Sequence, residues 1–240
     1  MYLKKINFKL FVAIIYLTIL TTGLYYLFSV IDLTDLNDYE FYKSKQGLIS
    51  NFKEENFLFF VIIFFIGIVI WNLFLGMGTP AAIAGGFIFG KWLGTFLVVT
   101  GNTIGAALIY ILARNFFKDF IEKKFSLKFS KFILLFNKND LLYFMCFRFI
   151  GGGGTPFAIQ NLLPVIFDMP IKKYITATFV GIVPTTFVTV ALGSGIANVI
   201  DKYNELSFLS VVTSPEIYLP LISFFILILC IFFLKKMLFK

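Results

Sequence analysis

Arg148 stands inside an apolar run, 141–167, and is followed by Gly151, Gly152, Gly153, Gly154, Thr155 and Pro156, then by Gln160 and Asn161. A guanidinium at membrane depth with no acid beside it must find its partner in backbone carbonyls, in water or in a ligand phosphate. A lipid phosphate suits its planar donor fork. The glycine run with Thr155 would present backbone N–H groups at the positive end of the following half-helix, a site for an anionic group. It lacks the Gly-Lys-Ser/Thr ending of a nucleotide-binding loop. Gln160 and Asn161 need partners across helices or on a substrate, and Arg114, which closes another apolar run, is a second candidate headgroup cation. Blander readings stand beside these. Arg148, eight residues after Asp140, snorkels to the headgroups or caps a half-helix; Arg114 snorkels; the glycines only let backbones approach; Lys91 is an interface anchor. Asp168 pairs with Arg148 or with Lys172.

Other chemistries are poorly served. The chain has no histidine, which excludes His-based metal and triad chemistry, and no nucleophile–base pair or metal cluster stands out, so neither an enzyme nor a cofactor is expected. Cys146 and Cys230 lie 84 positions apart in apolar runs and are poor disulfide candidates.

The elements that must position these residues are membrane helices. The composition is 59% hydrophobic and only 14% charged, against about a quarter charged in a soluble domain, and mean hydropathy is +0.91. Apolar runs fall at 8–30, 57–75, 79–98, 100–117, 141–167, 174–196 and 217–234, against the roughly 20 residues a helix needs to cross a bilayer. The first follows Lys4, Lys5 and Lys9 without a small-x-small cleavage site and reads as a retained helix.

The formal charge of +8 reflects topology rather than nucleic-acid binding. Lysines cluster at 4–9, 118–138, 172–173 and 235–240, whereas 31–56 carries six acids to three lysines and 197–216 three acids to one. The positive-inside rule puts the basic clusters and the C-terminus in the cytoplasm, with the acidic loops outside. In 118–138, Phe125, Phe129, Phe132 and Phe136 recur at helical spacing with lysines on other faces, which predicts an interfacial helix; a solvated connector is the alternative.

Two runs do not suit a continuous lipid-facing helix. Run 79–98 contains Pro80, Gly85, Gly86 and Gly90, and run 141–167 contains the glycine run, Pro156 and Pro164. Broken backbone at membrane depth must be buried in protein or line a wet cavity, so both runs are expected to be re-entrant hairpins. A shift of 76 residues lays "GTPAAI" at 78–83 on "GTPFAI" at 154–159 with five identities in six, and brings Gly105 onto Gly181 and Asn72 onto Arg148. Such a repeat is a transporter device. One crossing between two hairpins makes the repeat inverted. A parity conflict follows: with spans at 8–30 and 57–75, span 100–117 would deliver the lysines of 118–138 outside. Either 79–98 crosses, or one of the first two runs does not.

The order "GGFIFGKWLG", "YILAR", "FMCFR…GGGGTPF..QN" and "FVGIVPTTF…LGSG" resembles the DedA superfamily, the VTT or SNARE-associated Golgi protein domain, and its Tvp-type and YdjX-like branch, over about 57–196. The resemblance implies lipid movement between leaflets, of phospholipid or polyprenyl phosphate, through a groove where opposed hairpins meet. It matches Phe144 and Arg148 to the family's aromatic-x-x-x-Arg element, and Gly181 and Pro184 to its second proline-bearing element. Residues 57–117 contain no Asp or Glu, which puts in doubt the carboxylate-dependent proton coupling of some bacterial members.

The expected protein is therefore an all-α, multi-span membrane protein with two re-entrant hairpins in an inverted repeat. It comprises an N-terminal helix and polar loop (1–56), a DedA/VTT-like core (57–196) and an outer loop, last helix and basic tail (197–240). The expected function is a lipid translocase or scramblase in a bacterial inner membrane, with membrane lipids as partners, no nucleic acid, and a homodimer left open. The alternatives are a carrier for a small anion or ion-coupled solute and a non-transporting membrane organiser.

Overall fold

The computed structural model describes residues 18, 21, 22, 55–74, 78–125, 134, 136, 139–151, 157–202 and 213–238. The chain divides into two units, Met1–Gly47 and Leu48–Lys240. In the first, Thr21 donates its hydroxyl to the Thr18 carbonyl in a helical turn; the rest of the 8–30 run, the 31–54 loop and most of 126–138 lie outside the described residues.

Among the described residues of the second unit every regular element is a helix. Its elements are α1 (Phe57–Phe74), α2 (Gly78–Phe125), α3 (Asp140–Phe149), α4 (Phe157–Ile166), α5 (Ile171–Lys202) and α6 (Pro215–Leu238). Asn139 starts α3 by accepting the Leu142 N–H on its side chain, and Gly151, at φ +65°, carries the chain away from its end.

α2 is two helices rather than one. Gly90 has φ 73° and ψ 177°, a conformation open essentially to glycine alone, and the chain reverses there. A Cβ on Gly94 would strike the Gly85 carbonyl, one on Gly85 would lie 2.7 Å from Val98, and one on Gly78 would lie 3.2 Å from the Asn102 amide. Gly78 and Asn102 are equally far from Gly90 along the chain, so the half-helix 78–89 lies antiparallel on the helix 91–125. α1 runs parallel to that long helix, with Ile68 against Gly101 and Asn72 against Gly105, while Phe60 meets Phe89 beside the reversal at 5.7 Å. The expected hairpin at 79–98 therefore needs redrawing. The half-helix 78–89 packs on α1 through Gly85 and Phe64, and residues 91–98 belong to one continuous helix with 100–117. Gly94 does not break that helix; its missing side chain makes room for Gly85.

The same contacts recur 76 residues later. Gly105 packs on Asn72, and Gly181 packs on Arg148, where a Cβ would lie 2.7 Å from the Arg148 Cβ. Gly85 touches Val98, and at the shifted positions Asn161 accepts from the Tyr174 hydroxyl. Each half is thus an arm (α1 or α3), a return half-helix (78–89 or α4), a reversal with positive φ (Gly90 or Asp168, φ 50°) and a long helix (91–125 or α5).

The long helices run antiparallel, with Trp92 against Phe187 at 5.4 Å and Tyr110 stacked on Tyr174 at 4.8 Å. Gly86 admits the Val190 carbonyl and Gly193 the Ile83 carbonyl, so each crossing rests on bare backbone. No charged residue lies between Lys91 and Arg114, or between Lys173 and Asp201. At about 1.5 Å per residue these stretches are about 35 Å and about 42 Å long, enough for a hydrocarbon core of about 30 Å. Within the apolar stretch Gly78–Ile121 the helix that follows Gly90, and in α5 the stretch Ile171–Ile200, are long and apolar enough to cross a membrane. Leu58, Phe59, Trp92, Phe96, Phe116, Phe225, Leu229 and Phe233 point outward, an apolar exterior that suits lipid.

The core of the second half contains Phe136, Phe144, Phe147, Met169 and Tyr174. Phe136, expected to face the acyl boundary, is instead buried, 4.5 Å from the Phe167 ring. Helical spacing alone does not say whether a phenylalanine stripe meets lipid or its own bundle.

Candidate functional site

Arg148 ends α3 and is 1% exposed. Its position follows from Gly181, which lets α3 approach α5 until the Arg148 stem lies on bare backbone. The guanidinium then reaches α4 and α5. Nη1 donates to Gln160 Oε1 at 3.3 Å, and Nη2 donates to Asn161 Oδ1 and to the Tyr174 hydroxyl, the latter at 2.9 Å. Tyr174 donates in turn toward the Ala106 carbonyl or Asn161 Oδ1, each at 3.2 Å. The rings of Phe157, Phe144 and Tyr174 lie 4.8, 5.0 and 5.7 Å from the guanidinium carbon.

Every partner of this cation is neutral. Among the described residues no carboxylate pairs with Arg148, and its Nε–H is buried without an acceptor, as is the Asn161 amide nitrogen without a partner. A buried charge held only by dipoles and ring faces costs several kcal/mol relative to a paired one. The site is therefore a poor stability device, and it leaves two buried donors, Arg148 Nε–H and the Asn161 amide, without acceptors.

Arg148 lines a cavity of about 210 Å³ formed by both halves, with Gly78, Thr79, Ala82 and Asn102 from one and Gly151, Phe157, Gln160, Ile182, Thr185, Thr186 and Thr189 beside it from the other. Thr185 and Thr189 donate their hydroxyls to α5 carbonyls, leaving their oxygens as acceptors. Thr79 also lines a second cavity of about 560 Å³, otherwise formed by Pro80, Ile83, Ala84, Phe87, Ile88 and Ile196. A polar chamber with one cation thus adjoins an apolar groove.

Of the residues expected at a site, Arg148, Gly151 and Gln160 meet at the cavity and Asn161 holds Arg148 from behind. Residues 152–156, which include Gly152, Gly153, Gly154, Thr155 and Pro156, lie outside the described residues. Pro80 lines the apolar groove, and Pro184 interrupts α5 beside Thr185. Arg114 is not part of this constellation. It donates to the Tyr110 hydroxyl at 3.2 Å and lies 3.7 Å from Asp168. Asp168 pairs with neither Arg148 nor Lys172 but with Lys118 at 2.7 Å, because its reversal faces α2. Lys91 lines a different cavity. Tyr174, Asn102, Thr79 and the α5 threonines were not singled out by sequence. Of these, the repeat pairs Asn102 with Thr178, and a polar residue at both copies of a buried position was a usable signal.

In the first half Asn72 takes the place of Arg148. It donates to Asn102 Oδ1 and to the Ile68 carbonyl, and its own oxygen is buried without a partner.

An all-helical membrane protein with a repeated arm, half-helix and long helix, and a polar cavity between the copies, is the class defined by these features. The VTT domain matches residues 76–195, from the Gly/Pro turn of the first half through most of α5. The chain belongs to the VTT-domain family of the DedA superfamily. It is 27% identical over 186 residues to a Transmembrane protein 41 homolog of Dictyostelium discoideum, covering 74% of this chain and 54% of that protein. A Transmembrane protein 41 homolog of Caenorhabditis elegans is 26% identical over 162 residues, covering 63% of each. The chain thus spans less than two thirds of the length of these relatives. No solved structure matches it.

Proposed function

We propose that this protein moves a lipid with an anionic headgroup between leaflets, as a scramblase or a carrier driven by the lipid's own gradient. The observation that carries the reading is Arg148, a buried cation with no carboxylate partner among the described residues, lining a polar chamber that shares Thr79 with an apolar groove. A headgroup phosphate would take the place of the missing counter-charge, and an acyl or prenyl chain would lie along Pro80, Ile83 and Phe87. A small soluble anion would use the chamber and leave the groove without a role. In this reading α1 with 78–89, and α3 with α4, are the two re-entrant hairpins, entering from opposite faces, and the two halves form an inverted repeat.

The test is reconstitution of purified protein into liposomes carrying leaflet-labelled phospholipid or polyprenyl phosphate. Lipid movement above protein-free liposomes is expected, with Arg148→Ala reducing it to background. Movement unchanged in Arg148→Ala rejects the role of the cation, and no movement of either lipid alongside uptake of a soluble anion rejects the lipid reading.

A further inference from the structure

A third cavity, of about 350 Å³, lies where the helix 91–125 begins, between the C-terminal half of α5 and the first turns of α6. It shares no lining residue with the Arg148 chamber or the apolar groove. Its chemistry also differs. The Arg148 chamber has a cation and no carboxylate among its described lining residues, whereas this one is lined by both Lys91 and Glu216, with Ser194, Asn198 and Ser223 among its other polar residues. The two charges line one cavity without forming an ion pair with each other. Lys91 has no carboxylate within ion-pair distance among the described residues, and Glu216 has only Lys202, 3.5 Å from Oε1.

We propose that this cavity holds the headgroup of an ethanolamine phospholipid as a resident lipid. The phosphate would meet the Lys91 ammonium, and the primary ammonium would meet Glu216 Oε2, which is buried without a partner, with Asn198 and the serine hydroxyls as further acceptors. A purely anionic headgroup would leave Glu216 opposed to a like charge. A choline headgroup has no N–H to donate, and Phe187 alone makes no aromatic cage for it. The occupant is a lipid rather than free phosphoethanolamine because the rim is continuous with outward-facing Leu219 and Ile222 of α6, which offer the chains an apolar seat. The separate lining makes this lipid a bound component, apart from the proposed transport path.

The measurement is native mass spectrometry of the full chain, stripped of lipid in mild detergent and offered equimolar dioleoyl phosphatidylethanolamine, phosphatidylcholine and phosphatidylglycerol. Ethanolamine lipid should be retained about tenfold over each of the others, the scale of one hydrogen bond to a charged group. Glu216→Gln should abolish that preference, Lys91→Gln should weaken retention of all three, and Arg148→Ala should leave the preference intact. Equal retention of the three lipids by the native chain overturns the proposal, as does an unchanged preference in Glu216→Gln or competition by free phosphoethanolamine as effective as the lipid. Should Glu216→Gln aggregate, the exposed Lys91→Gln decides alone, and unchanged retention in it is equally fatal.

Discussion

The two repeat glycines offer a paired perturbation whose structural costs match and whose functional costs should not. Alanine at Gly181 puts a methyl group 2.7 Å from both the Arg148 Cβ and the Met145 carbonyl; at Gly105 the same methyl lies 2.6 Å from the Asn72 Cβ and 3.2 Å from the Val69 carbonyl. Carbon contacts sit near 3.5–4.0 Å, so in either variant the arm must move off its long helix by about 1 Å. Overpacking of this kind costs about 1–3 kcal/mol. At about 2–4 °C per kcal/mol for a chain of this size, both variants should melt about 2–12 °C lower in detergent. Only Gly181→Ala displaces the guanidinium from Tyr174 and Asn161. Lipid movement per reconstituted protein should therefore fall toward the Arg148→Ala level in Gly181→Ala and survive in Gly105→Ala. Equal loss of transport in two variants of equal stability would refute the assignment of function to the arginine half. No thermal loss in either would refute the close packing itself.

Three further outcomes are expected. Gly90→Ala meets no atom within 4 Å, so its cost is backbone strain alone, about 1–3 kcal/mol, read as a lowered thermal midpoint; an unchanged midpoint would mean that the chain does not reverse at Gly90. Tyr174→Phe keeps the stack on Tyr110 but removes the hydroxyl that accepts from Arg148, and should cost about 1.5–3 kcal/mol, more than Tyr110→Phe, whose hydroxyl serves a carbonyl and the half-exposed Arg114; the reverse order in thermal unfolding would contradict the Arg148 network. In a background lacking Cys146 and Cys230, a membrane-impermeant maleimide should label Ser44→Cys from outside and Ser126→Cys only after permeabilisation. Labelling of both from one side would reject the proposed topology.

Much of the second half was legible in sequence. Arg148, Gln160 and Asn161 straddle a Gly/Pro turn within one short stretch, so any arrangement that folds the turn back brings them together, and hydropathy marks them as conspicuous. Tyr174 was not legible, because nothing local distinguishes a tyrosine that reaches an arginine on a neighbouring helix from one that anchors at an interface. The Gly/Pro punctuation of the first half was read in the wrong place for a related reason. Gly85, Gly86, Gly90 and Gly94 look alike in sequence, yet only Gly90 occupies a backbone conformation that other residues avoid, while the other three make room for neighbouring helices. Spacing cannot separate those uses of glycine. The internal alignment could have done so, since it aligns α1 with the arm α3 and not with a spanning helix.

That correspondence also removes the parity conflict in the proposed topology. If α1 enters from the outer face and 78–89 returns to it, the acidic loop 31–56 stays outside, and the helix 91–125 crosses inward to deliver the lysines of 118–138 to the cytoplasm. α3 and α4 then enter and leave on the cytoplasmic side, α5 crosses outward, and α6 brings Lys235 and Lys236 back inside. Each basic cluster falls on the side that the positive-inside rule assigns to it without moving a helix boundary. The two copies then differ chiefly in what the arm carries, a neutral amide whose N–H groups go to Asn102 and a helix carbonyl in one, and a cation held only by dipoles and ring faces in the other. A fold needs only the first kind of arm. The second retains an electrostatic cost that the scaffold does not require, which is why the transport prediction rests on Arg148 and not on its counterpart Asn72.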